Sequence, residues 1–208
     1  MSILNQLASA QGRRDQVPNR RLAERLARSR DRKGIAEVAR NLQNRDRRIQ
    51  GDCVLVLEEI GAVQPRLIAP FTDDLLGLLS SRNNRLVWGA MAALSTVAAD
   101  SSRRLFARRA LLLHVTASGS VITRDKGIKL LGVVASRAPR YRKALLPWLL
   151  AHLQTCRSQE VPQHAESIAI AVNAGNRAAF LAVLEGRLDG MRPSRAARVR
   201  RVIRRVDG

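Results

Sequence analysis

The apolar residues of this chain recur every three or four positions, and the most apolar stretch runs from Asn84 to Ala99 (NRLVWGAMAALSTVAA). Spacing of this kind places apolar side chains on one face of an α-helix, whereas the alternation at every second position that indicates β-strands does not occur. Proline, glycine and short polar runs interrupt the pattern where helices are expected to begin and end. The pattern therefore predicts an all-α protein.

The stretch at 84–99 has similar copies before and after it. One lies about 38 residues upstream at 46–61 (DRRIQGDCVLVLEEIG), and another lies about 37 residues downstream at 122–137 (ITRDKGIKLLGVVASR). Each copy begins with polar or basic residues and then becomes almost wholly apolar. We call these segments the B-type helices and predict a fourth, more divergent one at 163–174 (QHAESIAIAVNA).

Between the B-type helices lie segments that we call the A-type helices. Their first residues, Pro65, Ser102 and Pro139, are spaced 37 positions apart, and a fourth, degenerate copy begins at Asn176. Self-similarity at a fixed period of this length is typical of helical repeat proteins. One helix pair cannot bury its apolar face alone, so we expect neighbouring pairs to stack around a continuous core.

The two ends of the chain depart from the repeat. Residues 2–16 predict a short helix, Pro18 is expected to start a second helix, and Asp31 is expected to cap a third. The last segment, 193–208, carries arginines together with an apolar stripe at three-and-four spacing. We expect this amphipathic helix to close the end of the core, with nucleic-acid or membrane-surface contact as the alternatives.

A unit of two helices joined by short turns repeats every 37–38 residues. This pattern resembles the HEAT-repeat family of armadillo/HEAT-type α-solenoids. Pro65 and Pro139 in the A-type helices, Asp46 and Asn84 at B-type starts, and the Val/Ala/Leu-rich B segments carry that resemblance. It implies a right-handed α-solenoid of stacked antiparallel helix pairs. We predict a single domain over 1–208, with N-terminal basic helices at 1–30, about four repeats at 31–190 and a basic C-terminal helix at 191–208.

The chain is strongly basic: 37 Lys and Arg oppose 17 Asp and Glu, for a net charge of +20. Such a surface attracts polyanions or acidic proteins. Arginine enrichment also arises in GC-rich genomes, so the charge by itself does not identify a partner. The apolar content of 46% excludes a disordered chain, which needs low hydrophobicity as well as high charge.

Basic residues recur at the starts of the B-type helices, where helix N-termini also favour phosphate and carboxylate groups. Others stand on the C-terminal helix. We predict that a basic binding surface includes Arg45, Arg47, Arg48, Arg82, Arg85, Arg124, Lys126, Lys129, Arg198, Arg201 and Arg205.

This pattern favours a non-catalytic scaffold that holds an acidic protein partner. The alternative is a protein that binds the phosphate backbone of duplex nucleic acid; aromatic residues make up only 3% of the chain, which argues against recognition by base stacking. We expect no membrane span, no small-molecule cofactor and a cytoplasmic location.

Catalytic and metal-binding motifs do not occur in the sequence. H-x-x-x-H, G-x-S-x-G and phosphate-loop patterns are all missing, so we predict no catalytic residue and no metal site, and we interpret Cys53 and Cys156 as buried thiols. One remote alternative remains. Solenoids of this type include alkylpurine DNA glycosylases, and Trp88 and Asp125, 37 positions apart, would form a pocket if adjacent B-type helices placed them side by side. No motif of that family is matched, so none of its residues is assigned here.

Overall fold

The computed structural model describes residues 2–208, and in that range it contains helices and no strands. The chain forms two compact units, Met1–Gly127 and Ile128–Gly208. Every helix within the described range is too short or too polar to cross a membrane.

The first unit contains eight α-helices and the first part of a ninth among its described residues. They are α1 (Val17–Ser29), α2 (Arg32–Arg40), α3 (Arg47–Val63), α4 (Pro65–Ile68), α5 (Thr72–Gly77), α6 (Asn84–Thr96), α7 (Ser102–Ala107), α8 (Arg109–Ser118) and the start of α9 (Val121–Ser136). Short 3-10 helices lie at Ile3–Gln6, Asn41–Gln43, Ala69–Phe71 and Leu78–Ser80.

Helices α1, α3 and α6 pack side by side and form the centre of the first unit. The apolar body of α6 is buried almost throughout, because it combines small residues with Met91 and Leu94, both fully buried. Glycine permits the close approach of α3 to α6: a Cβ on Gly61 would overlap Thr96, and one on Gly89 would meet Val54. The apolar part of this stretch, residues 86–98, is therefore mostly core, as its composition predicts, whereas Asn84 and Arg85 are exposed.

The helix starts follow the sequence prediction closely. The Asp31 carboxylate accepts a hydrogen bond from the Gly34 N–H at 2.9 Å, and Asp46 accepts one from the Arg48 N–H at 2.8 Å. At α6 the capping side chain belongs to Asn83 rather than Asn84, which is the first helical residue. Side-chain caps of this kind satisfy backbone donors that the first helical turn leaves unpaired.

Two of the predicted A-type helices, those that begin at Pro65 and Ser102, are not continuous. The segment at 65–81 breaks into α4, α5 and two 3-10 turns, because Pro70 lacks an N–H and its ring opposes an α-helical turn. The segment at 102–118 breaks at Arg108, for which the surrounding residues give no evident cause.

The prediction of a helix over residues 2–16 is wrong beyond Ile3–Gln6. Asn19 and Asp52 instead accept the backbone N–H groups of Ala8 and Ser9, at 2.9 Å and 2.8 Å. Gly12 then turns the chain with a φ of +66°, a conformation that glycine adopts readily.

The second unit contains the end of α9 followed by α10 (Pro139–Thr155), α11 (Val161–Ile168), a 3-10 turn at Ala169–Ala171, α12 (Arg177–Glu185) and α13 (Pro193–Asp207). Helix α10 packs against α12, and α11 packs against α13. Leu145 and Leu149 of α10 and Phe180 and Leu184 of α12 are fully buried.

The C-terminal helix packs as expected of a helix that closes a core. Ala196, Val199 and Val202 form its buried stripe, and most of its arginines are exposed. Its apolar face therefore stabilises the second unit, while its basic face is left to solvent.

Candidate anion-binding cleft

Two successive B-type helices begin beside an open cleft of about 620 Å³ in the first unit. Helix α3 contributes its first turns and α6 its first residues, and the segment 8–16 forms the remaining wall. The side chains at its edges are mostly basic. Five arginines and two aspartates line the cleft: Arg13, Arg14, Arg47, Arg48, Arg85, Asp15 and Asp52.

Hydrogen bonds to Asp52 hold the segment 8–16 against α3. One oxygen of this carboxylate accepts the backbone N–H of Ser9 at 2.8 Å, and the other accepts the side-chain amide of Asn19 at 2.8 Å. The amide oxygen of buried Asn19 in turn accepts the N–H of Ala8. The carboxylate of Asp52 is thus used to position the wall of the cleft.

Acidic groups compensate two of the five arginines. Arg13 pairs with Asp15 at 2.8 Å, and Arg48 pairs with the capping residue Asp46 at 3.0 Å. The hydrogen bond from the Arg13 side chain holds the pKa of Asp15 below its ordinary value, and the one from the Arg48 side chain does the same for Asp46. Both carboxylates therefore stay ionised and engaged at neutral pH.

The other three arginines of the cleft are Arg14, Arg47 and Arg85. All three are exposed, and within residues 2–208 none of their side chains has a carboxylate or hydrogen-bond partner. The first turns of α3 and α6 also lie at this cleft. Asp46 and Asn83 cap one N–H of each, and helix N-termini carry partial positive charge. The arrangement can therefore bind carboxylate or phosphate groups.

The structure brings together only some of the residues that the sequence predicts for a basic surface. Arg47, Arg48 and Arg85 line the cleft, whereas exposed Arg45 and Arg82 stand in the turns before the two helices and do not line it. Arg13 and Arg14 are additions that sequence reasoning missed. Their Gly-Arg-Arg run is visible in the sequence, but only the bonds to Asp52 and Asn19 place it beside α3.

The remaining predicted binding residues of the first unit, Arg124 and Lys126, both belong to α9 and have partners. The Arg124 guanidinium is directed at the Ala117 carbonyl, and Lys126 lies 3.5 Å from the Glu58 carboxylate. Burial raises the pKa of Glu58 above its ordinary value although Lys126 opposes that shift. Lys126 therefore compensates a half-buried acid of α3.

In the second unit, Lys129 is exposed on α9, and Arg201 and Arg205 are exposed on α13. Arg198 of the same helix donates two hydrogen bonds to the Glu166 carboxylate of α11. This arginine therefore joins two helices and is not freely available to a ligand.

The pocket expected between Trp88 and Asp125 differs from the crevice that the structure shows beside the tryptophan. Half-buried Trp88 borders a crevice of about 30 Å³ whose charged lining residues are Asp52, Glu58 and Arg85, and Asp125 does not line it. That volume is about that of one water molecule. An extruded nucleobase needs a far larger pocket, so nothing here supports glycosylase chemistry.

Residues that could hold a metal ion come together in the second unit. His152, Cys156 and His164 place one ligand atom each within 4.8 Å of one another. The sequence predicts no metal site, because His164 follows Cys156 at a spacing that matches no local metal-binding motif.

No protein-family model matches the sequence, and no curated protein matches it. Solved structures do match. An engineered protein of the Northeast Structural Genomics Consortium has a TM-score of 0.69 at 17% identity, covering 100% of this chain and 97% of that one. Computationally designed armadillo repeat proteins for modular peptide recognition match with a TM-score of 0.67 at 15% identity, and the match covers 97% of each chain.

A natural protein matches as well. The karyopherin Kap121p, bound to the SUMO protease Ulp1p, gives a TM-score of 0.68 at 17% identity over 99% of this chain. The chain spans about a quarter of that karyopherin, 23% of its length. The predicted all-α fold and its resemblance are confirmed: this chain has the armadillo/HEAT-type α-solenoid fold.

Proposed function

We propose that this chain is a non-catalytic binding protein whose first unit holds an acidic segment of a protein partner in the cleft. The observation that carries the proposal is the imbalance of charge there. Arg14, Arg47 and Arg85 are exposed without an acidic partner among residues 2–208, while Asp15 and Asp52 are already engaged.

Arginine suits this task because its planar guanidinium donates paired hydrogen bonds to a carboxylate. The cleft volume of about 620 Å³ is of the size that holds several side chains of an extended or helical segment. Two helix N-termini add their partial positive charge. An acidic peptide would thus meet complementary charge from three separate parts of the first unit.

The solved structures with this fold support a binding role of the same kind. The designed armadillo repeat proteins are made for modular peptide recognition, and the karyopherin is bound to a protein, the SUMO protease Ulp1p. We also propose a cytoplasmic location, because neither Cys53 nor Cys156 forms a disulfide within residues 2–208.

The alternative is the phosphate backbone of duplex nucleic acid, and the two helix N-termini at the cleft favour it. Against it stands the division of the exposed basic residues between the cleft and other helices, since backbone binding draws on many cations along one face. The acidic protein segment is therefore the better-supported ligand.

Fluorescence anisotropy with the full chain would test the proposal. The probes are a labelled peptide rich in Glu and Asp and a labelled random-sequence DNA duplex, each at 50 and 200 mM salt. The cleft variant carries Arg14→Gln, Arg47→Gln and Arg85→Gln. A matched variant, Arg108→Gln, Arg200→Gln and Arg204→Gln, loses the same charge at exposed positions that do not line the cleft.

We expect the cleft variant to lose roughly 10- to 100-fold in peptide affinity, because exposed ion pairs contribute up to about 1 kcal/mol each. The matched variant should keep most of it. Equal losses in both variants would show that binding is diffuse, and would contradict the proposal. Tight duplex binding with no peptide binding would favour the nucleic-acid alternative.

A further inference from the structure

We propose that His152, Cys156 and His164 of the second unit form a zinc site. This site belongs to the second unit and is independent of the cleft and its ligand in the first unit. Ligand atoms of the three side chains lie within 4.8 Å of one another, at the point where the chain turns from α10 into α11.

The helical geometry places two of the ligands on one face. His152 and Cys156 are four residues apart, and the Cys156 N–H donates to the His152 carbonyl at 2.8 Å, which keeps the last turn of α10 helical. Side chains at this spacing are neighbours on a helix surface. His164 comes from the fourth residue of α11, so the turn between the helices completes the set.

The distances suit a tetrahedral ion after a small adjustment. His152 Nε2 and His164 Nδ1 are 3.0 Å apart. Zinc–nitrogen bonds of about 2.0–2.1 Å and zinc–sulfur bonds of about 2.3 Å place ligand atoms about 3.3–3.6 Å apart. The Cys156 Sγ is directed at the Leu153 carbonyl at 3.8 Å, and it lies up to 4.8 Å from the ring nitrogens. It therefore has to move by about 1 Å to reach the zinc–ligand spacing.

The site is enclosed on one side and open on the other. His164 is fully buried, Cys156 is 9% exposed, and half-buried His152 stacks on Trp148 with ring centroids 5.7 Å apart. This packing orients the rings before any ion binds. Three protein ligands with one accessible side leave the fourth position to water or to a ligand from outside.

The surrounding charges can accommodate a cation. Buried Glu160 contacts His164 through its backbone carbonyl, which accepts the His164 N–H at 3.0 Å. Its carboxylate accepts hydrogen bonds from the Arg157 backbone at 3.2 Å and side chain at 2.5 Å. The C-terminus of α10 adds partial negative charge, which Arg187 partly offsets by donating to its carbonyls.

The donor set excludes the hard cations and suits zinc, as it also suits copper. One thiolate with two imidazoles suits Zn²⁺, whereas Mg²⁺ and Ca²⁺ require oxygen ligands. Binding replaces the thiol proton with the ion, so one proton leaves the protein. The proton shared between the two facing imidazole nitrogens moves to an outer ring nitrogen, which leaves both lone pairs for the metal.

The test titrates the metal-free full chain with Zn²⁺, and separately with Co²⁺, which reports thiolate ligation through a charge-transfer band in the near ultraviolet. We expect one ion per chain, release of about one proton per zinc, and the cobalt band. Cys156→Ser should abolish the band, and His152→Ala should weaken zinc binding by 10²-fold or more.

Cys53→Ala is the matched thiol control and should retain both band and affinity, because Cys53 lies in the other unit. Circular dichroism of each variant separates loss of a ligand from loss of fold. If Cys156→Ser does not fold, a second measurement takes the place of this variant. It asks whether zinc protects Cys156 of the wild-type chain against an alkylating reagent. Zinc binding that is unchanged in folded Cys156→Ser, or no protection of Cys156, would overturn the proposal.

Discussion

Arg198 of α13 donates two hydrogen bonds, at 2.6 and 2.5 Å, to the Glu166 carboxylate of α11. A guanidinium and a carboxylate paired through two bonds fix the orientation of the helices that carry them. Helix α13 is therefore held in the second unit by this ion pair as well as by its buried apolar residues Ala196, Val199 and Val202.

Stability should depend on pH through this pair. The Arg198 side chain holds the pKa of Glu166 below its ordinary value of 4.5, and Arg205 and Arg201 add to the effect against partial burial. A depressed carboxyl pKa stabilises the fold above the ordinary value, and that contribution is lost as the pH falls through the folded-state pKa. We expect Glu166→Gln to lower the free energy of unfolding by less than about 1 kcal/mol at pH 7, since the side chains of Glu166 and Arg198 are both partly exposed.

Urea denaturation of wild type and Glu166→Gln at pH 7, and at successive values below 4.5, would measure this contribution. The difference between the two proteins should shrink as the pH falls. Arg200→Gln, an exposed change on the same helix, is the control. A difference that persists undiminished in acid would contradict the ion-pair explanation.

The fold was predictable because the same capping and helix-starting residues recur in successive repeats. Asp46 and Asn83 cap successive B-type helices, and Pro65 and Pro139 begin A-type helices 74 positions apart. A pattern that recurs at a fixed interval averages out local ambiguity. Single events without a copy, such as the break at Pro70, are harder to recognise in advance.

Only part of either candidate site could be predicted from the sequence. Arg47 and Arg85 follow from their places at helix starts, which are local features. Arg13 and Arg14 join them through the bond of Ser9 to Asp52, 43 residues away in sequence. The approach of His164 to His152 depends on the geometry of a turn, which no spacing rule for metal ligands includes.

Gly132 of α9 should resist substitution. A Cβ there would overlap the backbone carbonyl oxygen of Ser167 in α11, and a backbone atom cannot rotate away as a side chain can. We expect Gly132→Ala to destabilise the protein by about 1–3 kcal/mol despite the better helix propensity of alanine. Guanidinium denaturation would measure the change.

Gly51 provides the opposite case within a helix. Apart from its own helix turn, a Cβ on this residue of α3 would have no neighbour within 4 Å among residues 2–208. Alanine should therefore stabilise the protein by about 0.5–1 kcal/mol, through its lower backbone entropy in the unfolded chain. If both variants changed stability in the same direction, close helix packing would not explain the glycine at 132.

Cys53 should be unreactive in the folded protein. Burial, and secondarily the charge of Asp52, raise the pKa of its thiol from an ordinary 9.0 to about 12. Because the thiolate is the nucleophile, iodoacetamide at pH 8 in the presence of a chelator should label Cys156 and leave Cys53 unmodified. Peptide mass mapping, with a guanidinium-unfolded sample as the control for both sites, would detect the difference.

The same shift makes stability fall in alkali. The contribution of a protonated Cys53 is complete below the ordinary pKa of 9.0 and is lost as the pH rises through about 12. Cys53→Ala should remove this part of the alkaline destabilisation. Equal native labelling of the two cysteines would contradict the assignment of Cys53 to a closed core.

Arg187, just beyond α12, closes the C-terminus of α10. Its guanidinium donates to the carbonyls of Leu153 and Cys156 at 3.1 and 2.6 Å and also to that of Gln154. These acceptors belong to the last turn, where no helical N–H remains to pair with them. Arg187→Lys should therefore destabilise the second unit by about 1–3 kcal/mol, because an ammonium cannot span three carbonyls in the same plane.

Thermal unfolding of Arg187→Lys, with exposed Arg192→Lys as the control, would measure this effect. Hydrogen exchange adds a local readout. Because Arg187 holds the turn that carries Cys156, its loss should speed exchange of the Cys156 N–H, which donates to the His152 carbonyl. Exchange that is unchanged there, with stability lost elsewhere, would mean that Arg187 acts through general packing and does not hold the helix end.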